Sequence, residues 1–103
     1  MRVISRKWSN ELARIHPDAK PGLDAWFHEA EGGDWANPAQ IKALYATASI
    51  LKNSRVVFNI GGNKYRLVVR INYAYRVVYV RFAGTHSEYD QIEARRFDES
   101  QDN

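Results

Sequence analysis

The C-terminal half of this chain alternates apolar and polar side chains in three successive segments, and this pattern constrains the fold more than any other feature. The segments are residues 56–60, 65–73 and 76–82. A Gly-Gly-Asn turn at residues 61–63 supplies the positive φ angles that a tight hairpin needs, and residues 72–75 form a second short turn. A period of two is typical of strands, so we predict three antiparallel strands in one sheet.

The same period divides each predicted strand between two faces. Arg66 and Arg70 fall on one face of the second strand, and Arg81 falls on the corresponding face of the third. We therefore expect these three arginines to lie on a common exposed face. The opposite faces are predicted to carry Leu67, Val69 and Ile71 on the second strand, and Val78, Val80 and Phe82 on the third.

The N-terminal half predicts one short strand and two or three helices. Residues 2–4 are expected to pair at an edge of the sheet, and Ser5 is expected to cap a helix over about residues 6–16. A second helix should end at Gly32-Gly33, and a third should begin at Asn37-Pro38. The predicted buried stripes of the three helices are Trp8, Leu12 and Ile15; Leu23, Trp26, Phe27 and Ala30; and Ile41, Leu44, Tyr45 and Ala48.

The end of the chain predicts a further helix. Thr85 and Glu88 form the capping-box pattern that begins such a helix. Residues 49–54 are interpreted as a link into the sheet, and the polar, acidic tail at residues 98–103 is expected to fray. The sequence thus predicts one α+β domain over residues 1–97. Its elements would be a short N-terminal strand, two or three helices, an antiparallel sheet and a short C-terminal helix.

Charge is unevenly distributed along the chain, although the formal net charge is only +3. Residues 55–87 hold six basic and no acidic side chains, whereas residues 1–54 hold seven basic and six acidic ones. Residues 88–103 reverse the sign, with two basic and six acidic side chains. A field of one sign confined to one segment attracts a phosphate-bearing ligand, such as RNA. The alternative interpretation is that these arginines simply solvate one face of a sheet.

Composition argues against several classes of protein. The absence of cysteine excludes a disulfide framework and a Cys-based metal site, and it fits a reducing cytoplasm. No apolar run predicts a signal peptide or a membrane span, so we expect a soluble cytoplasmic protein. His16, His28 and His86 lie far apart and form no spaced ligand pair. Neither a metal site nor a cofactor is therefore predicted.

The segment from Thr85 to Asp90 holds the densest cluster of acid–base groups. His86 and Tyr89 are three residues apart and would share one face of a helix. Metal-free cleavage of RNA needs a base for the 2′-hydroxyl, cations for the crowded phosphorane and an acid for the 5′-oxygen leaving group. The alternative is structural: Thr85 caps the helix, Glu88 completes the box, and His86 is a surface residue.

Two segments resemble the HigB family, the toxins of type II toxin–antitoxin modules. They are VFNIGGNKYRL at residues 57–67 and VRFAGTHSEYD at residues 80–90, and their separation also fits. The resemblance is good over about residues 50–95 and weaker over residues 1–50. It implies a RelE-like fold and an mRNA interferase, an endoribonuclease that cuts messenger RNA, typically on the translating ribosome.

The resemblance also implies residue roles and partners. Arg66, Arg70 and Arg81 would bind phosphates and stabilise the transition state, whereas His86 and Tyr89 would transfer protons. The implied partners are mRNA, the ribosome and a helix-turn-helix antitoxin of the HigA type, with operator DNA bound only through the antitoxin complex and no membrane involved. The residues implied to position the RNA are Asn59, Asn63 and Lys64.

A second hypothesis belongs to a different class of protein. It is a non-catalytic RNA- or protein-binding module, whose arginines bind phosphates and whose cluster around His86 is structural. Substitution of His86 and Tyr89 separates the two hypotheses, because only the enzyme would lose mRNA cleavage while keeping its fold.

Overall fold

The computed structural model describes residues 1–92, which form one mixed sheet with helices on both of its faces. The predicted α+β class is confirmed. The predicted domain end at residues 93–97 and the tail at residues 98–103 lie outside the described part of the chain. The strands are β1 (Arg2–Ile4), β2 (Ser49–Ile50), β3 (Arg55–Ile60), β4 (Tyr65–Asn72) and β5 (Val77–Thr85). The helices are α1 (Lys7–Ile15), α2 (Lys20–Gly32), α3 (Pro38–Leu44) and α4, which is helical over residues 86–92.

The strand order in the sheet is β1-β5-β4-β3-β2. The pairs β2–β3, β3–β4 and β4–β5 are antiparallel. The pair β1–β5 is parallel, with Arg2 opposite Val77. The prediction that β1 joins an edge of the sheet is confirmed. The interpretation of residues 49–54 as a link was wrong, because Ser49 and Ile50 form the other edge strand against β3. Two residues are too few to show a period of two.

The two hairpin turns set the ends of the central strands. Gly61 and Gly62 have φ angles of 63° and 70°, which confirms the predicted left-handed turn. At the second turn, Arg76 also has a positive φ of 57°, and the Asn72 side chain accepts a hydrogen bond from the backbone N–H of Tyr75 at 3.0 Å. Arg76 therefore belongs to the turn, and the last strand is Val77–Thr85 rather than residues 76–82.

One face of the sheet forms the main core with the helices. The predicted α2 stripe is confirmed, and Trp26 packs edge-on against Phe58 of β3 with ring centroids 5.2 Å apart. Asn37 caps α3 as predicted, since its side chain accepts from the N–H of Gln40 at 3.0 Å. Burying a large apolar side chain such as that of Phe58 contributes about 1.5–3 kcal/mol to the stability of the fold. Leu44 was wrongly assigned to the buried stripe, because it is 66% exposed.

Helix α1 differs most from its prediction. Ser5 is not the cap: it has a φ of 66°, and Arg6 occupies the cap position without a side-chain hydrogen bond. Leu12 is buried as expected, but Trp8 and Ile15 are 47% and 56% exposed. The helix packs against β5 at the side of the sheet, so only a narrow face of α1 reaches the core. The Trp8 ring lies instead against Phe82, with centroids 5.2 Å apart.

A bulge in β5 changes which side chains lie on each face of the sheet. Val68 pairs with Phe82 and Val69 pairs with Val80, so Arg81 has no partner in the ladder. The predicted alternation of Val78, Val80 and Phe82 on one face was therefore wrong. Phe82 lies on the opposite face with Val68, where Val57 joins them in a second, smaller apolar cluster.

Helix α4 lies over this second cluster. Tyr89 and Ile92 of α4 pack against it, together with Leu51. The predicted capping box is confirmed: Thr85 N–H donates to Glu88 Oε1 at 2.9 Å, and Glu88 N–H donates to Thr85 Oγ1 at 3.1 Å. No helix within residues 1–92 has the length and apolar character needed to cross a membrane.

Candidate functional site

The sheet face that bears α4, which we call the basic face, divides into three rows across the strands. A cross-strand row joins residues that lie opposite one another on β3, β4 and β5. The middle row is apolar and lies under α4, so it separates the polar rows on either side. From the β3–β4 turn outward, the rows are Asn59, Arg66 and Gly84; then Val57, Val68 and Phe82; then Arg55, Arg70 and Tyr79.

An open cleft beside the outer row brings two of the predicted arginines together. This arginine cleft has a volume of about 430 Å³, and its lining includes Arg70, Tyr79, Arg81 and Ser54. Both arginines are exposed. Among residues 1–92, no acidic residue lines the cleft, and neither arginine forms an ion pair with an acidic side chain. Free guanidinium groups bind phosphate oxygens through paired hydrogen bonds, so this cleft suits an RNA backbone.

A second cleft adjoins the first at the edge of the sheet. This tryptophan cleft has a volume of about 410 Å³ and is lined by Ser5, Lys7, Trp8, Tyr79, Val80 and Arg81. Tyr79 and Arg81 line both clefts, so the two are adjacent. The bulge at Arg81 provides the exposed cation at their junction, because the unpaired residue is free of the ladder.

Arg66 does not lie on the exposed surface with Arg70 and Arg81, contrary to the expectation. It is the one charged side chain among residues 1–92 that is buried, with 9% of its surface exposed. It lies four residues before Arg70 on β4, which is about 13 Å along a strand, and Val68 of the apolar row lies between them. Sequence periodicity correctly placed the face of Arg66 but not its burial.

The hydrogen bonds of Arg66 leave part of its guanidinium unused. Nη1 donates to the backbone carbonyls of Asn63 and Tyr65, at 3.1 and 3.3 Å. Within residues 1–92, Nε and Nη2 have no protein acceptor, and no carboxylate forms an ion pair with the group. The residue as a whole is buried, yet neither atom is among the fully buried side-chain atoms of residues 1–92 that lack a partner. An anionic ligand that reached these donors would form charge-assisted hydrogen bonds with them.

Helix α4 places the two predicted acid–base residues near the β3–β4 turn. The backbone N–H of His86 donates to the carbonyl of Lys64 at 3.0 Å, so His86 lies beside this turn. The His86 side chain is half exposed, and its Nε2 lies 3.4 Å from Asp90 Oδ2. Tyr89 is half buried against the apolar row. His86 thus lies on the Arg66 side of the basic face, and Tyr89 lies over its middle row.

Two of the three residues predicted to position RNA have partners within the protein. The Asn59 side-chain amide donates to the carbonyl of Thr47 at 3.3 Å, which ties β3 to the chain before β2. Lys64 Nζ lies 3.6 Å from Asp18 Oδ2. The backbone carbonyl of Asn63 accepts from Arg66, and its side chain is exposed in the turn.

Asp18 is held by Tyr65, which follows the same turn and points to the opposite, helix-covered face of the sheet. The hydroxyl of Tyr65 donates to both carboxylate oxygens of Asp18, at 2.7 and 2.8 Å. This hydrogen bond lowers the pKa of Asp18 below its usual value, and the nearby Lys64 adds to the effect. Lys64 is therefore partly committed to a structural ion pair.

Among residues 1–92, no three His, Cys, Asp or Glu side chains are grouped so that they could hold a metal ion. His16 lies against the Tyr65 ring, with centroids 5.5 Å apart, and His28 is an exposed residue of α2. The three histidines are thus in three different parts of the fold.

Sequence reasoning missed Lys7, Trp8 and Tyr79 as site residues. Alternation along β5 did place Tyr79 on the same face as Arg81, which is the signal that pointed to it. Trp8 was assigned to the core because its spacing to Leu12 and Ile15 fits a helical stripe. Only the position of α1 beside β5 shows that this stripe is partly exposed.

Comparison with known proteins agrees with the resemblance found in the sequence. Residues 19–92 match the family model of the HigB toxin, a RelE-like toxic component of a toxin–antitoxin system. The chain is 30% identical over 92 residues to the mRNA interferase toxin HigB of Escherichia coli (strain K12), covering 87% of this chain and 88% of that protein. It is 26% identical over 94 residues to the mRNA interferase HigB of Escherichia coli O6:H1, covering 89% and 91%. The chain therefore belongs to the HigB toxin family.

Proposed function

We propose that this protein is the toxin of a toxin–antitoxin pair and acts as an mRNA interferase whose RNA strand binds the basic face. The relatives that match most of the chain are named mRNA interferases. The observation that carries the proposal is the arginine cleft, where Arg70 and Arg81 converge with Tyr79 and no acidic residue within residues 1–92 lines the wall. Such a surface attracts a polyanion and would repel few of its charges.

The proposed reaction is transfer of the scissile phosphate to the neighbouring 2′-oxygen. A base removes the proton of the 2′-hydroxyl, the 2′-oxygen bonds to phosphorus, and the bond to the 5′-oxygen breaks as an acid protonates that oxygen. The products are a 2′,3′-cyclic phosphate and a 5′-hydroxyl. Guanidinium groups supply the positive charge that the phosphorane needs, so the chemistry requires no metal ion.

The role of each residue in this proposal follows its place on the basic face. Arg70 and Arg81 bind successive phosphates in the open cleft, and Arg66 offers its Nε and Nη2 donors to the developing charge. His86 and Tyr89 transfer the protons, as the sequence suggested. An RNA strand that crosses the edge of α4 would reach both polar rows of the basic face.

We extend the proposal to the cellular setting of the reaction. The protein would act in the cytoplasm on messenger RNA during translation, at the ribosome. A helix-turn-helix antitoxin of the HigA type would neutralise it, and operator DNA would be bound only by that complex. The support for these partners is membership of a family of toxic components of toxin–antitoxin systems.

The experiment that tests the proposal is cleavage of a defined mRNA by the purified chain. Reactions contain mRNA alone, with and without EDTA, or mRNA under translation by purified ribosomes without EDTA, and the ends of the products are mapped. We expect cuts with 2′,3′-cyclic phosphate ends that are strongly enhanced by translation, and any cuts in mRNA alone should be unaffected by EDTA. Binding without cleavage in every reaction would instead support the non-catalytic RNA-binding module.

A further inference from the structure

The tryptophan cleft combines two features that occur together where proteins bind unpaired nucleotides. It presents two aromatic rings, Trp8 and Tyr79, and two cations, Lys7 and Arg81. In single-stranded RNA sites, aromatic rings stack on bases while cations bind the backbone on either side. None of the described residues that line this cleft is acidic.

The backbone around the cleft explains why an aromatic residue of a helix lies there at all. β1 runs parallel to β5 with Ile4 opposite Tyr79, and the chain then turns at Ser5, whose φ is 66°. A non-glycine residue rarely adopts this conformation. The turn brings the first residues of α1 to β5, where Lys7 and Trp8 join Tyr79 in the cleft wall.

The exposure of Trp8 is unusual for this chain and is not explained by packing. The other two tryptophans, Trp26 and Trp35, are each 3% exposed, whereas Trp8 is 47% exposed. Trp8 contacts the Phe82 ring, which fixes its position, yet nearly half of its surface remains accessible. A large, positioned and accessible indole is the kind of group on which a base stacks.

We propose that the tryptophan cleft is a nucleobase subsite, in which one unpaired base of the RNA stacks on Trp8 beside Tyr79 while Lys7 and Arg81 bind the adjoining phosphates. This inference rests on the proposed function, because it names where a substrate base is bound. Arg81 lines both clefts, so the base in the subsite belongs to a nucleotide next to the phosphate in the arginine cleft. Stacking tolerates every base, so the subsite selects unpaired RNA rather than a sequence.

The structure offers a direct optical test of this subsite, because the exposed tryptophan is the one that would stack. A 2′-O-methyl hexanucleotide lacks the attacking hydroxyl, so it can be bound but not cut. It is titrated into the full chain and followed both by tryptophan fluorescence and by anisotropy of a label on the oligonucleotide. A hexamer with the same backbone but without bases is titrated in parallel. We expect the base-bearing hexamer to quench the fluorescence and the abasic hexamer to bind more weakly without quenching.

Variants of α1 provide the matched comparison. Trp8→Leu keeps an apolar contact with Phe82 but removes the stacking surface, so its affinity should fall roughly 5- to 150-fold, the range for loss of one base stack. Trp8→Phe keeps a smaller ring, so its affinity should lie between those of Trp8→Leu and the unchanged chain. This second variant keeps the test valid if the leucine variant folds poorly. Ile15→Ala changes another exposed apolar residue of the same helix that lines neither cleft, and it should bind like the unchanged chain.

The outcomes distinguish this inference from the proposed function. If the unchanged chain cuts mRNA and binds both hexamers equally, without quenching, the subsite is disproved and the interferase proposal stands. Equal affinity of Trp8→Leu and the unchanged chain for the base-bearing hexamer would also disprove the subsite and leave the interferase proposal standing. If the unchanged chain neither binds nor cuts RNA, the proposed function fails and the subsite fails with it.

Discussion

Arg66 lies directly opposite Gly84 in the β4–β5 ladder, on the face of the sheet that bears α4. The glycine leaves no side chain beside the arginine, and a Cβ at this position would lie 2.5 Å from Cζ of Phe82 and 3.1 Å from Oε1 of Glu88. The space next to Gly84 is thus already filled by the ring and the carboxylate. Arg66 is buried in this row and donates only to the carbonyls of Asn63 and Tyr65 among residues 1–92.

Replacement of Arg66 by methionine should separate activity from stability. An apolar side chain of similar length in place of a buried cation that lacks an acidic partner is close to neutral for folding. We therefore expect Arg66→Met to melt within a few degrees of the unchanged chain, while mRNA cleavage falls about 100-fold or more through loss of a charged donor. The measurements are thermal unfolding by circular dichroism and single-turnover cleavage.

Arg76→Met is the control for this change. Arg76 forms an ion pair with Asp34 at 2.5 Å near the second hairpin turn, and it lines neither cleft. The cleavage rate of Arg76→Met should stay within about twofold of that of the unchanged chain, since an exposed ion pair contributes little to stability. Full activity of Arg66→Met would show that cleavage does not need the guanidinium of Arg66.

The proposed proton-transfer role of His86 and Tyr89 is tested by a double variant that preserves packing. Tyr89 packs against the apolar row of the basic face, so an alanine there would remove packing as well as chemistry. His86→Gln with Tyr89→Phe keeps both shapes, and we expect it to abolish mRNA cleavage and growth arrest, because each proton transfer contributes about 10²- to 10⁴-fold. RNA affinity, measured by anisotropy, should change little. Persistent cleavage would show that other groups move the protons.

The arginine cleft predicts a salt signature of phosphate binding. Each cation that neutralises a phosphate releases counterions, which contributes about 0.7 to the slope of log affinity against log salt for a single strand. Arg70→Ala and Arg81→Ala should each lower that slope by about this amount and weaken binding to all sequences alike. The affinities are measured between low and high salt with an uncleavable RNA. Arg14→Ala, whose side chain pairs with Glu11 on α1, should leave the slope unchanged.

Asp18 predicts how stability responds to acid. Its pKa is lowered in the folded protein by the hydrogen bond from Tyr65, so the folded state binds this proton less readily than the unfolded state does. The stabilisation is present above a pH of about 4, the usual range of an aspartate, and is lost as the pH falls through the lowered value. In urea unfolding, Asp18→Asn should be less stable than the unchanged chain at pH 7, and the difference should shrink toward pH 3. A difference that is constant with pH would contradict this assignment.

The sequence alone determined those parts of the fold that depend on local backbone preference. Gly61 and Gly62 predicted the hairpin because few other residues adopt positive φ, and Asn37 predicted the start of α3 because its side chain can bind a free N–H. The period of two correctly placed Arg66 and Arg70 on one face of β4. The motifs around the hairpin and at the end of β5 were sufficient to indicate the family, which the comparisons confirmed.

Only the tertiary structure decided which parts of that face are open. Which parts of the basic face are covered depends on elements that are distant in sequence. Helix α4 folds back over Val68 and divides the row of Arg66 from the row of Arg70. The bulge that leaves Arg81 unpaired arises from the pairing of β4 with β5, and the exposure of Trp8 arises from the place of α1 beside β5. Periodicity records the direction of a side chain relative to its own backbone, whereas burial depends on what the rest of the chain places against it.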